Sequence, residues 1–176
     1  MCWREGPEAP HNQEMRNLIA DLAATQTLVE VGDIVRVEAR RRSGAQGATF
    51  VLRENDRCFY ADEDAIAPLW KGQRFPISSC VSGWAMLRDE TAVVPDIAVD
   101  DRIPLDAYLP TFVRSLVMVP VGSPTPVAAI GAYWSRRYHA SSREIASLQI
   151  LATCTATAIR RIGLVDAPWA PTFTKH

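Results

Sequence analysis

Between residues 12 and 42 the apolar positions recur every three or four residues: Met15, Leu18, Ile19 and Leu22, then Leu28, Val31, Ile34 and Val35. That spacing predicts two amphipathic helices, broken near Thr25. Thr27-Leu28-Val29-Glu30 reads as a capping box that opens the second helix. Arg40-Arg41-Arg42 followed by Gly44 closes it, because cations suit the carbonyl end of a helix. After Gly47 the period drops to two. Residues 48–53 and 57–61 are β-prone runs joined through Glu54-Asn55-Asp56, and 115–121 and 127–134 form a second hairpin around Gly122-Ser123-Pro124-Thr125-Pro126. Residues 91–94 add a short strand. Pro120 has no amide hydrogen to give a ladder, so its strand is expected at a sheet edge or to end early. The last helix is predicted to start at Ser141 or Ser142, with Glu144 completing a cap, and to run to Ile162 before Gly163. Ile145, Leu148, Ala152, Thr155, Ile159 and Ile162 form one apolar stripe on it; Ile150, Leu151, Cys154 and Ala158 form a second. Two buried faces are expected, one on the sheet and one on something else.

Helices at both ends of a mainly antiparallel sheet predict an α+β domain. It is expected to span 11–164, with aperiodic, polar or proline-bearing flexible ends at 1–10 and 165–176. A chain of 176 residues, 48% hydrophobic and 22% charged, suits one ordinary globular domain. Its formal net charge of -1 gives no pull toward nucleic acid or an anionic membrane, so neither is expected as a partner. No apolar run approaches the roughly 20 residues that cross a bilayer, and Met1-Cys2-Trp3-Arg4-Glu5-Gly6-Pro7 lacks the apolar core of a signal peptide. A cytoplasmic setting is therefore expected. Cys2, Cys58, Cys80 and Cys154 are widely spaced, with no C-x-x-C and no nearby His pair, which argues against a zinc site or a disulfide framework. Reduced thiols are the expectation.

Candidate chemistry concentrates in Phe75-Pro76-Ile77-Ser78-Ser79-Cys80-Val81-Ser82-Gly83-Trp84. Ser78 and Ser79 are placed to cap a helix through Val81, Trp84, Ala85 and Leu87, with Cys80 in its first turn. A helix N-terminus lowers a thiol pKa, although a small buried hydrophobe is the alternative identity for Cys80. A nucleophilic enzyme also needs a base. Of His11, His139 and His176 only His139 is a candidate, and it sits in a loop, so the chain is expected not to be an enzyme. The acids at 62–64 and Asp96, Asp100, Asp101 and Asp106 lack a glycine-punctuated calcium loop or a histidine partner. They read as turn formers and caps, with no metal. Trp70, Phe75, Trp84, Tyr108, Phe112 and Trp134 fall around the middle segment and are candidates to line a cavity for a planar organic ligand, with Cys80 and Asp96 completing the set. The alternative is that these rings fill the core.

The order of elements and several motifs resemble a GAF domain of the kind found in bacterial sensor histidine kinases and phytochrome-like signalling proteins. The motifs are the stretch 60–72, Cys80-Val81-Ser82-Gly83-Trp84, Pro95-Asp96-Ile97, Asp101-Arg102-Ile103-Pro104 and the stretch 108–116, within a match over about 18–162. The resemblance implies a twisted antiparallel sheet of five to six strands, terminal helices on one face, and a pocket with short helices and loops on the other. It also implies a homodimer through the terminal helices, a small organic ligand and an output partner in a two-component or similar pathway. The residues depart from the specialised members. Val81 follows Cys80 where bilin-binding relatives commonly have His, the Asn-Lys-Phe-Asp-Glu pattern of cyclic-nucleotide binders is missing, and Cys58 and Cys80 are not spaced like the paired cysteines of the free methionine sulfoxide reductases. The cofactor is thus unknown. The leading expectation is a non-enzymatic sensory and dimerisation module. A thiol redox sensor or thiol enzyme centred on Cys80, and a degenerate GAF domain with a structural role, are the alternatives.

Overall fold

The computed structural model describes residues 10–163, so the ends expected to be flexible fall, Pro10 apart, outside the described residues. Two helices come first, α1 (Pro10–Ala24) and α2 (Leu28–Ser43), followed by the hairpin β1 (Gly47–Glu54) and β2 (Arg57–Ala65). Then come β3 (Arg74–Pro76), a 3-10 turn (Ile77–Ser79), α3 (Val81–Arg88), β4 (Ala92–Val94), a second 3-10 turn (Ile97–Val99) and the single-turn helix α4 (Leu105–Tyr108). The hairpin β5 (Ser115–Val121) and β6 (Ala128–Trp134) leads into α5 (Ser142–Ile162). Both expected capping boxes form, Thr27 with Glu30 and Ser141 with Glu144. Gly44 ends α2 in the left-handed conformation, and Asn55 takes φ 55 in the two-residue turn of the first hairpin.

The six strands form one antiparallel sheet in the order β3-β2-β1-β6-β5-β4. Pro120 does not end its strand early. It lies opposite Ala129 of β6, beyond Leu116, Val117 and Met118, which are the residues that β4 covers. At that point β5 is locally an edge, where a missing amide hydrogen costs no ladder bond.

Alternation along the strands sorts side chains into two cores. Phe50, Leu52, Val117, Val119, Ile130 and Trp134 pack with Leu22, Val31, Val35, Leu148, Leu151 and Ile159 of the terminal helices. Val51, Cys58, Tyr60, Leu116, Met118 and Tyr133 pack on the other face with α3 and the connecting turns. A β-bulge interrupts this order. Phe50 pairs with Asp62 but Val51 with Tyr60, which leaves Ala61 as the extra residue. Past the bulge Asp62 and Asp64 face the terminal helices, where Arg36 and Arg40 on successive turns of α2 meet them at 3.0 and 2.8 Å. Glu63 turns to the opposite face.

Candidate functional site

The layer opposite the terminal helices holds a cavity of about 180 Å³. β2 supplies Tyr60, the loop before β3 supplies Trp70, and β3 itself supplies Phe75. Ser79 and Cys80 come from the turn into α3, and Pro104, Ala107 and Tyr108 from the start and body of α4. The rings meet edge to face: Trp70 with Tyr108 at 4.7 Å and with Tyr60 and Tyr133 at 5.5 Å, and Tyr60 with Phe75 at 5.5 Å. Trp70 is fixed from two directions. Its indole N–H donates to the Ala107 carbonyl at 3.1 Å, and the backbone N–H groups of Leu69, Trp70 and Lys71 donate to the Glu63 carboxylate at 2.9–3.0 Å. The bulge that turns Glu63 to this face therefore also sets one wall of the cavity. Burial pushes the Tyr60 and Tyr108 phenols well above their ordinary pKa, so both stay protonated. Tyr60 is hydrogen-bonded to Ser82 at 3.2 Å, whereas the Tyr108 hydroxyl makes no hydrogen bond among the described residues.

Cys80 is the N-cap residue of α3, one position before the first turn, and Ser78 and Ser79 form the preceding 3-10 turn without capping the helix. This corrects the expected placement. The cause is close packing of turn on helix: a side chain at Gly83 would run into the Ile77 carbonyl, so only glycine lets α3 seat there. The Cys80 thiol donates to the Pro76 carbonyl at 3.5 Å and accepts from the Ser82 hydroxyl at 3.3 Å. Cys58 enters the same buried cluster from β2. Donation from Cys58 is the largest influence on Cys80 and lowers its pKa to about 7 against the opposing effect of burial, helped by Ser82 and the Gly83 amide. The same contact, with burial, drives the Cys58 thiol strongly upward. All three described cysteines are free.

Of the eight candidate residues, Trp70, Phe75, Cys80 and Tyr108 come together around the cavity. Trp84 and Phe112 pack in the same layer outside it: Arg102 and Arg88 lie over the Trp84 ring at 4.8 and 5.4 Å, and Phe112 fills the space a side chain at Gly47 would need. Asp96 caps the second 3-10 turn by accepting from Ala98 N–H at 3.0 Å and pairs with Arg137 at 2.9 Å. Trp134 lies in the helix-side core against Tyr138, because strand alternation sends its neighbour Tyr133 to the cavity side. Tyr60, Cys58 and Ser82 were missed as site residues. Alternation in 57–61 places Cys58 and Tyr60 on one face, but nothing local says that this face meets Cys80. Antiparallel pairing of Cys58 with Phe75 brings β2 beside the chain that enters α3. Among the described residues no group of three metal-binding side chains is found. No helix among them is long and apolar enough to cross a membrane.

No family model and no curated protein matches this sequence. Solved structures do. The GAF domain of an Acinetobacter phosphoenolpyruvate-protein phosphotransferase superposes with a TM-score of 0.73 at 13% identity, covering 88% of this chain and 95% of that one. The free methionine-R-sulfoxide reductase of Neisseria meningitidis, solved with its substrate, gives 0.72 at 17% identity over 92% of this chain and 95% of that one. The reduced form of fRMsr of Staphylococcus aureus gives 0.66 at 12% identity over 89% and 99%. The expectation that the chain is not an enzyme is overturned as an inference from its architecture, since reductases share that architecture. By its three-dimensional structure the chain is a GAF-fold domain.

Proposed function

We propose that this chain is a sensory domain that takes up a small organic ligand in the cavity bounded by Tyr60, Trp70, Phe75, Cys80 and Tyr108. The observation that carries the reading is a preformed space whose walls are aromatic and whose polar groups are few and individually placed. Trp70 spends its indole N–H on Ala107, Tyr60 its hydroxyl on Ser82 and Cys80 its thiol on Pro76 and Ser82, so the Tyr108 hydroxyl is left to orient a ligand. At about 180 Å³ the space lies below the roughly 300–1,000 Å³ of drug-sized sites, which suits a compact molecule rather than a tetrapyrrole. Occupancy would be reported through the sheet to the terminal helices, which serve to pair two copies or to hold an output partner.

The test is thermal unfolding against a panel of compact aromatic and heterocyclic molecules. A ligand at 100 times its Kd stabilises by about 2.7 kcal/mol, a rise of roughly 5–10 °C in Tm for a domain of this size. Ala107→Trp, which fills the cavity from α4, is expected to abolish that rise. Equal shifts in both proteins would place binding elsewhere and remove the reading. A second reading, thiol chemistry in the same cavity, is favoured by Cys80 on its wall, whose sulfur accepts from the Ser82 hydroxyl at 3.3 Å.

A further inference from the structure

Tyr108 is 3% exposed, and its ring and backbone are both held. The ring meets Trp70 edge to face at 4.7 Å, and the backbone carbonyl accepts from the Thr111 amide at 2.9 Å and the Thr111 hydroxyl at 2.7 Å. Its hydroxyl nevertheless makes no hydrogen bond among the described residues, and it lies on the cavity wall. Buried polar groups in folded proteins are rarely left so, and a group already fixed in place loses little freedom when a ligand bonds to it. Burial keeps the phenol protonated, so it meets a ligand as a neutral O–H donor. The other hydroxyl of the wall without a partner, on Ser79, belongs to an exposed residue that water can satisfy.

Charge and size narrow what can sit against that hydroxyl. No Asp, Glu, Lys, Arg or His lines the cavity, and Glu63, beside Trp70, already accepts three backbone N–H groups on its two oxygens. A charged ligand would lose its hydration there with nothing opposite to replace it. A dry apolar cavity of roughly 150 Å³ holds benzene, so about 180 Å³ admits one such ring with a short substituent. We propose that the cavity selects an uncharged single-ring aromatic carbonyl compound, an aldehyde, ketone or amide, whose oxygen accepts the Tyr108 hydroxyl while its ring lies among Tyr60, Trp70 and Phe75. A bare hydrocarbon leaves the Tyr108 hydrogen without an acceptor, and an anion meets an aromatic wall with no cation. The inference rests on the cavity being the ligand site and adds the chemical class that the site recognises.

The experiment titrates the full chain and its Tyr108→Phe variant with acetophenone, with ethylbenzene, which has nearly the same shape but no acceptor, and with benzoate, which carries a charge. Tyr108→Phe removes the hydroxyl and keeps the ring, so the acetophenone Kd is expected to rise about tenfold while the ethylbenzene Kd stays the same or falls. Benzoate should bind neither protein. The infrared carbonyl stretch of bound acetophenone should lie lower in the parent than in the variant, as hydrogen bonding to a C=O requires. An equal change for acetophenone and ethylbenzene, no change for either, or tighter binding of benzoate would overturn the chemical class while leaving the cavity a ligand site. Failure of both neutral probes to bind the parent would remove the cavity reading together with this inference. Should Tyr108→Phe fail to fold, the infrared band in the parent decides alone: a carbonyl stretch at its frequency in hydrocarbon solvent would overturn the proposal.

Discussion

At the residue scale the unusual group is a thiol that gains acidity without a cation or histidine beside it. A second thiol does the work: Cys58 donates to Cys80, burial opposes the charge, and Ser82 and the Gly83 amide add smaller help. The consequence is measurable as alkylation. A thiol of pKa about 7 is half ionised at pH 7, against a few per cent for an ordinary thiol near 8.5. With Cys2 and Cys154 replaced by Ser, the pH profile of iodoacetamide labelling at Cys80 is expected to have its midpoint near 7. Reactivity appears as pH rises through that value and is lost below it, because the thiolate is the nucleophile. Cys58→Ala removes the principal donor and should move the midpoint upward; Ser82→Ala should move it less. A midpoint at or above about 8.5 in the parent protein would show that the thiolate is not held.

At the scale of elements, the seat of α3 is the joint on which the site depends. Gly83 lets the helix start against the Ile77–Ser79 turn, and Cys80 connects the two. Gly83→Ala drives a methyl group into the Ile77 carbonyl, a clash with backbone that no rotamer relieves. Destabilisation of about 3 kcal/mol or more is expected, a fall in Tm of roughly 6–12 °C, with α3 displaced and the Cys80 labelling midpoint raised. Unchanged melting and labelling would mean that the joint yields freely. Elements of this kind were legible where a periodic pattern and its punctuation agree, as in α2 and α5 with their capping boxes and in both hairpins. Parity within a strand was equally legible in principle, and it separates Tyr133 from Trp134. The bulge at Ala61 was not, since it depends on which β1 residue each β2 residue meets; without it Asp62 and Glu63 exchange faces. Nor was the burial of Cys58 and Cys80 in one cluster, which joins residues that no local spacing links.

At the scale of the whole molecule, the sheet separates a cavity layer from a helix layer. Ile145, Leu148 and Ile159 belong to one of the two apolar stripes expected on α5, either of which could have been left for pairing. They pack instead within the chain, with Leu148 and Ile159 fully buried, so polar substitution there would unfold the domain without testing association. Between α1 and α5 lies an apolar groove of about 330 Å³ lined by Ile19, Leu22, Ala23, Cys154 and Ala158, with Ile19 51% exposed at its rim. If the terminal helices pair two copies, this is the face that does so, and Ile19→Asp should convert a dimer to a monomer in light scattering across a range of concentrations. Since Ile19 is exposed in the single chain, the intrinsic stability of the monomer should change by no more than about 0.5 kcal/mol, whereas Leu148→Asp should abolish folding. A parent protein that scatters as a monomer at every concentration would end the pairing idea and leave the groove to an output partner of different sequence. A dimer that survives Ile19→Asp would move the interface to another face of the helix layer, where Val29 and Val37 of α2 are also exposed.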